Sequence, residues 1–185
     1  MWHLNNFFDH RQASGVLFSK EECQNIIHMF DAKLKEATTE TKNKNLIRQG
    51  KIHWVDINAD TSWIYERCSV AIKDINADMF KYDLDYIETL QFTSYSNTDD
   101  RYGKHLDTLH VSGVQRKLSF SVQLSEPHSY EGCELLLHNN NIPTIASKDI
   151  GVITIFPSNC LHEVTSLQSG QRYSLVGWVV GPRFK

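Results

Sequence analysis

The apolar residues follow one rhythm in the first half of the chain and another in the second. Cys23, Ile26, Ile27, Phe30 and Leu34 recur at helical spacing. Before them stands Ser19-Lys20-Glu21-Glu22, which reads as a capping box. The Ser19 hydroxyl can cap the helix backbone while Glu22 reaches back to it. This helix is expected to end near Lys35 to Thr39, where threonines accumulate. Asp60-Thr61-Ser62 is a second start signal, followed by a stripe of Ile64, Cys68, Ala71, Ile72, Ile75 and Met79. Both stripes are core-packing faces. Between them, Leu46 to Ile57 looks like a strand, with Ile52, Trp54 and Ile57 as buried positions.

From Tyr86 onward the period falls to two. Tyr86 to Tyr95 alternates and is rich in β-branched and aromatic residues. In Leu118 to Leu124, Leu118, Phe120, Val122 and Leu124 share one face, and Ser119, Ser121 and Gln123 the other. Leu135 to His138, Gly151 to Phe156 and Arg172 to Val180 are further strands, separated by turn signals at Glu126-Pro127-His128, His138 to Pro143, Phe156-Pro157-Ser158 and Ser169-Gly170. Many short strands with regular turns predict a sandwich or jelly roll. Helices first and strands second predict an α+β, mainly β fold with the helices packed outside the β core.

Composition sets outer bounds. A chain of 185 residues without repeats, low-complexity tracts or Pro/Gly-rich linkers reads as a single domain over 1–185. In that domain 1–81 supply helical and strand support, and 82–185 the β core. A net charge of −3 gives no bulk attraction for nucleic acid or an anionic membrane. Neither is expected as a partner. No apolar run is long enough to span a bilayer. Met1 to Arg11 lacks the pattern of a signal peptide, so a cytoplasmic location is the expectation. Cys23, Cys68, Cys133 and Cys160 are scattered without a CxxC pair, which argues for reduced, buried thiols rather than a zinc ribbon.

His105-Leu106-Asp107 carries the candidate chemistry. In an extended segment, positions i and i+2 project to one face. An imidazole nitrogen and a carboxylate oxygen then converge, and a second histidine completes a facial triad suited to Fe(II). His162, just after the apolar strand Gly151 to Phe156, is the candidate for that place. Arg172 follows ten positions later, with Ser174 on its face of the same strand. A guanidinium and a hydroxyl pointing the same way form a receptor for a carboxylate. Gln123 shares a face with Ser119 and Ser121 and is a candidate for lining the pocket. The polar stretch Ser96 to Arg101 leads into the ligands and is a candidate lid.

These segments resemble the 2-oxoglutarate/Fe(II) oxygenases of the prolyl-4-hydroxylase-like type, particularly the small bacterial and phage-type hydroxylases. Tyr95 followed by Tyr102-Gly103-Lys104-His105-Leu106-Asp107 is similar to the family's Tyr…Tyr-Gly-x-His-x-Asp segment. Tyr130-Glu131-Gly132-Cys133-Glu134-Leu135 is similar to its Tyr-Glu-Gly-Gly-Glu-Leu turn, with Cys133 in place of the second glycine. Phe156 to Val164 resembles the distal histidine segment, and Gly170 to Trp178 the arginine strand. Arg48, Trp54, Trp63-Ile64-Tyr65 and Asn76 resemble the family's N-terminal region more loosely.

The resemblance implies a double-stranded β-helix (jelly roll) core. It implies that His105, Asp107 and His162 hold Fe(II). Arg172, helped by Ser174 or the Tyr95 hydroxyl, meets the C5 carboxylate of 2-oxoglutarate. It further implies O2 as co-substrate, ascorbate as a candidate for keeping the iron reduced, and hydroxylation of a C–H bond with succinate and CO2 as co-products. A prolyl residue in a protein or peptide is the favoured substrate, and a free amino acid or other small metabolite is the alternative. A non-catalytic metal-binding jelly roll is a second class, and a zinc hydrolase a third. Oligomeric state and the roles of His110 and His138 stay open.

Overall fold

A computed structural model describes residues 12–37, 48–111, 113–139 and 142–183. Met1 to Arg11, Thr38, Thr39, Leu46 and Ile47 fall outside these residues.

The capping box forms as expected. Ser19 Oγ accepts from Glu22 N–H at 3.2 Å, and Glu22 Oε2 accepts from Ser19 N–H at 2.8 Å. Helix α1 (Lys20–Phe30) buries Cys23, Ile26 and Phe30. It ends earlier than the sequence suggests. A short 3-10 turn (Asp31–Lys33) follows, and Lys35–Glu36 then pairs as a strand with Ile52 and Lys51. Helix α2 (Ser62–Ile75) buries Ile64, Tyr65, Cys68 and Ile72 and runs into a π-turn at Asn76–Phe80. Thr61 precedes it without capping it, its hydroxyl donating to Asp56 O at 2.6 Å.

In chain order the strands are β1 (Ala13–Val16), β2 (Lys35–Glu36), β3 (Arg48–Gln49), β4 (Lys51–Val55), β5 (Tyr86–Ile87), β6 (Leu90–Tyr95), β7 (Arg101–His105) and β8 (His110–Val111). Then come β9 (Val114–Gln123), β10 (Tyr130–Gly132), β11 (Leu135–Leu137), β12 (Thr144–Ile145), β13 (Val152–Pro157), β14 (His162–Val164), β15 (Leu167–Gly170) and β16 (Arg172–Pro182). The large sheet runs β1-β13-β9-β16-β6-β4-β2, with β5 added to β16 and β8 to β9. The small sheet runs β12-β11-β14-β7-β3, and β10 pairs with β15. The described pairings are all antiparallel, and most strands neighbouring in space, such as β13 with β9, β14 with β7 and β16 with β6 and β9, are distant in sequence, as a jelly roll requires.

Alternation along the large sheet sorts the side chains. Leu118, Phe120, Val122, Leu175 and Val179 join Ile26, Phe30, Ile64 and Cys68 in one buried cluster between sheet and helices. A second cluster, including Tyr95, Leu135, Leu137, Phe156 and Val164, draws on both sheets and fills the space between them. Gly177 permits the first to close. A Cβ there would meet Phe120 Cζ at 2.3 Å and Leu90 Cδ2 at 2.6 Å.

The expected strand from Leu46 to Ile57 is broken at Gly50, whose φ is 141°, into β3 and β4. Ile52 is buried as expected, whereas Trp54 and Ile57 are exposed, at 46% and 66%. Val55 takes the burial instead, because its face of β4 meets α2. Tyr65 on α2 donates its hydroxyl to Val55 O at 2.5 Å and accepts from Leu90 N–H at 2.9 Å. Ile57 lies beyond the strand end. The expected strand Tyr86 to Tyr95 likewise divides at Glu88-Thr89.

The Tyr65 hydroxyl thus ties α2 to two strands through buried bonds. Tyr65→Phe leaves a carbonyl and an N–H unpaired in the core and is expected to cost about 1–3 kcal/mol. A urea unfolding series compared with the wild type reads this directly.

Candidate active site

The sequence places His105 and His162 in different segments; the sheet register makes them direct partners. His105 ends β7, His162 begins β14, and the two are paired across the small sheet. Their ring centroids are 4.1 Å apart. Asp107 follows two residues after β7, its N–H donating to Ser158 O at 3.0 Å. Its Oδ1 lies 3.6 Å from His105 Nε2, and its Oδ2 lies 3.3 Å from His162 Nε2. Ligand atoms of His105, Asp107 and His162 all fall within 4.8 Å of one another.

The second nitrogen of each ring tests whether this cluster suits a metal. His105 Nδ1 lies 2.8 Å from Gly103 O, and His162 Nδ1 lies 2.9 Å from Cys160 O. A carbonyl only accepts, so each neutral ring carries its proton on Nδ1 and turns the Nε2 lone pair toward the cluster. Ser119 Oγ donates to Asp107 Oδ2 at 2.8 Å and lies 3.0 Å from Ser158 Oγ, which orients the carboxylate. Two imidazoles and one carboxylate, without a thiolate, fit Fe(II). Burial, then the neighbouring His162, holds the His105 ring down at about 4. Burial pushes the Asp107 carboxyl up, but at acid pH, where the rings take up a second proton, hydrogen bonding and charge from His162, charge from His105 and the Ser119 hydroxyl outweigh it. Asp107 is therefore held well below the usual carboxylate range.

These three residues line a solvent-open pocket that also contacts Tyr95, Arg172, Ser174 and Trp178. Arg172 begins β16 opposite Tyr95 on β6, and Ser174 lies between Thr93 and Gln123 of the flanking strands. Arg172 is 4% exposed and forms no ion pair among the described residues. Its Nε donates to Gln123 Oε1 at 3.0 Å. Gln123 Nε2 in turn donates to the Tyr130 hydroxyl and to Ser125 O, each at 3.1 Å. The guanidinium is thus held in place by neutral groups and faces a cavity with its charge unmatched. Burial pushes the Tyr95 hydroxyl up to about 12, so it stays protonated beside that charge.

The structure therefore brings His105, Asp107, His162, Arg172, Ser174 and Tyr95 onto one cavity. Ser119, the hydrogen-bond partner of Asp107, was missed, although the polar face of β9 already pointed to it. Gln123, read from that face as a candidate, orients Arg172. Arg48 also lines the cavity. His138 pairs with Glu163 at 2.9 Å and is no part of the cluster, and the His110 backbone sits in β8 opposite Gln115. Cys133 adopts the left-handed backbone, φ 52°, that its glycine-like position demands.

The structure gives the lid expectation for Ser96 to Arg101 no support. Asp100 is buried, and its Oδ2 accepts from Ser96 N–H and Asn97 N–H at 2.8 and 2.9 Å. Asp99 N–H donates to Leu167 O, and Leu167 N–H to Asp100 O. The turn is fastened to its own carboxylate and to β15, and none of its residues lines the cavity.

Residues 90–180 match the family model described as the 2OG-Fe(II) oxygenase superfamily. That match places the segment carrying the cluster and Arg172 in the superfamily, which uses Fe(II), 2-oxoglutarate and O2. A PKHD-type hydroxylase of Prochlorococcus marinus (strain MIT 9215) is 39% identical over 79 residues, covering 43% of this chain and 36% of the relative. The alignment thus spans well under half of that relative's length. The crystal structure of a Pseudomonas putida prolyl-4-hydroxylase superposes with a TM-score of 0.73 at 20% identity, over 95% of this chain and 94% of the other. A Trichoplax adhaerens prolyl hydroxylase, in complex with a hypoxia inducible factor oxygen degradation domain peptide fragment, gives 0.72 at 17% identity, over 92% and 83%. The fold is the jelly roll of the prolyl hydroxylases, as the sequence led one to expect.

Two outcomes test the geometry. Gln123→Leu should weaken 2-oxoglutarate binding roughly tenfold by freeing the Arg172 guanidinium, with metal affinity unchanged, whereas Ser119→Ala should weaken metal binding by about that factor. Isothermal titration with each ligand separates the two. In metal-free protein, His105 should stay neutral until the pH nears about 4. An unfolded histidine takes its proton near pH 6.5, so between these values the unfolded chain holds more protons and stability falls as pH drops. Imidazole nitrogen shifts across that range check it; a His105 titration near 6.5 would contradict the buried arrangement.

Proposed function

We propose that residues 1–185 form one catalytic domain of a 2-oxoglutarate- and Fe(II)-dependent dioxygenase. Its reaction is hydroxylation of an unactivated C–H bond, with succinate and CO2 as co-products. The observation that carries this reading is Arg172. A buried guanidinium without a carboxylate partner is costly to fold around, and an anionic co-substrate relieves that cost. It opens onto the same cavity as a two-histidine, one-carboxylate cluster. A hydrolase using these ligands leaves Arg172 without a purpose.

In this reading His105, Asp107 and His162 hold the metal, and Arg172 takes the C5 carboxylate as a bidentate fork. Ser174 and the protonated Tyr95 hydroxyl add neutral donors to the same group. Bound Fe(II) with 2-oxoglutarate supplies the oxygen activation, which no side chain here provides. The chain's own contribution is geometry. The Gly103 and Cys160 carbonyls fix both rings, Ser119 fixes Asp107, and Gln123 fixes Arg172. The apolar wall of Leu135, Phe156, Val164 and Val176 keeps bulk water from the reacting centre.

The favoured substrate is a prolyl residue in a protein or peptide. The support is the likeness of fold to prolyl hydroxylases, one of them holding a peptide, and the exposed Trp54 ring 6.1 Å from the buried Trp178 ring. The cytoplasm is the proposed location; no described helix is long and apolar enough to cross a membrane.

Anaerobic titration of Fe(II) and 2-oxoglutarate into metal-free protein tests the reading. The wild type should develop the weak visible charge-transfer band of the chelate, and the band should weaken in Asp107→Ala and in Arg172→Ala. Normal iron binding without a band would favour a non-catalytic metal-binding module.

A further inference from the structure

Arg48 is a second guanidinium on the cavity, and the proposed function leaves it without a task. It stands on β3 opposite Tyr102 of β7. Its guanidinium lies 4.6 Å from the centroid of the Tyr102 ring, and that ring stacks at 3.6 Å on the His105 imidazole. A full positive charge therefore sits one ring away from a metal ligand. Arg48 Nη2 donates to Gln91 Oε1, a neutral acceptor on β6. Among the described residues Arg48 forms no ion pair. Arg116, 4.2 Å over the Trp178 ring, contrasts with it: its fork is matched by Glu88, with contacts of 3.0, 3.1 and 2.6 Å.

A charge count sharpens the point. Arg48 and Arg172 face a single carboxylate, Asp107, across the cavity. A divalent metal and dianionic 2-oxoglutarate cancel each other, so the loaded cavity keeps one positive charge unmatched. Trp178 forms a further wall of the same cavity, with its own Nε1 buried away from the open space.

We propose that Arg48, at the cavity that Trp178 walls, binds a carboxylate on the substrate. The hydroxylated carbon then belongs to a molecule carrying a carboxylate close by. That group is either the own carboxylate of a free amino acid or an acidic group next to the modified residue of a peptide. Planar, bidentate recognition suits Arg48, whose guanidinium is held against the Tyr102 ring and by Gln91. The inference rests on the dioxygenase reading in one respect: Arg172, and not Arg48, holds 2-oxoglutarate.

The test uses the diamagnetic complex with Zn(II) and 2-oxoglutarate and follows the Trp178 indole resonance, assigned by Trp178→Phe. The probes are the common free L-amino acids and their carboxamides, together with doubly blocked Pro-Glu and Pro-Gln dipeptides. At least one acid should shift the resonance saturably, and its neutral counterpart should bind about tenfold or more weakly. Whether the acid is a free amino acid or the Pro-Glu peptide identifies the source. Arg48→Gln should remove that preference, and Arg48→Lys should restore part of it, with 2-oxoglutarate affinity unchanged in both. Equal binding of acids and carboxamides, no binding of any acid, or an acid preference that survives Arg48→Gln would overturn the proposal. Loss of 2-oxoglutarate binding in Arg48→Gln would overturn it too, by assigning Arg48 to the co-substrate while leaving the dioxygenase reading intact. Failure of the wild type to bind 2-oxoglutarate would instead strike at that reading.

Discussion

The site depends on one cross-strand pair, His105 opposite His162. Side chains alternate along a strand, so a slip of one residue between β7 and β14 would carry one imidazole to the far face and dissolve the cluster. The backbone carbonyls of Gly103 and Cys160 add a second constraint, since each lies two residues before the ring it orients. Register and ring orientation are therefore set by the same short pieces of chain. The third member of the cluster, Asp107, is steadied from the opposite sheet by Ser119 on β9. The cluster consequently spans both layers, and the apolar residues packed between those layers determine its dimensions.

Electrostatics impose a second order on the interior. Each buried charge needs an opposite charge or a set of dipoles. Glu88 matches Arg116, while Arg172 has only the dipoles of Gln123 and its neighbours. A protein that keeps such a group gives up some stability of its empty form in exchange for binding an anion. The same logic explains why neutral groups surround Arg172. A carboxylate partner from the chain would neutralise the guanidinium and compete with any ligand for it.

Much of this was legible in the sequence. The capping box, both helical stripes and the alternation from Leu118 to Leu124 each reported a local preference that the packing did not override. His105 and Asp107 were readable because their spacing of two survives any packing. The strand pairing of His162 with His105 was not, since it is a non-local register that no periodicity encodes. Trp54 was misjudged for the opposite reason. An aromatic residue in a strand reads as core, yet the face of β4 that carries it opens at the rim, and Val55 meets α2 instead. The loop before the ligands looked mobile because it is polar. Its polarity is consumed internally, as Asp100 turns back on the N–H groups of Ser96 and Asn97.

Strand β16 has a consequence for how such a chain can diversify. It carries Arg172, Ser174, Val176 and Trp178 toward the cavity on alternate positions, while flanked through much of its length by β6 and β9. At roughly 3.3 Å per residue, the two ends of that series stand about 20 Å apart. The strand is thus a ruler fixed by hydrogen bonds on both edges, and loop lengthening cannot stretch it. A change in the size of the molecule accommodated between its ends must come from trading side chains along the ruler, one notch at a time.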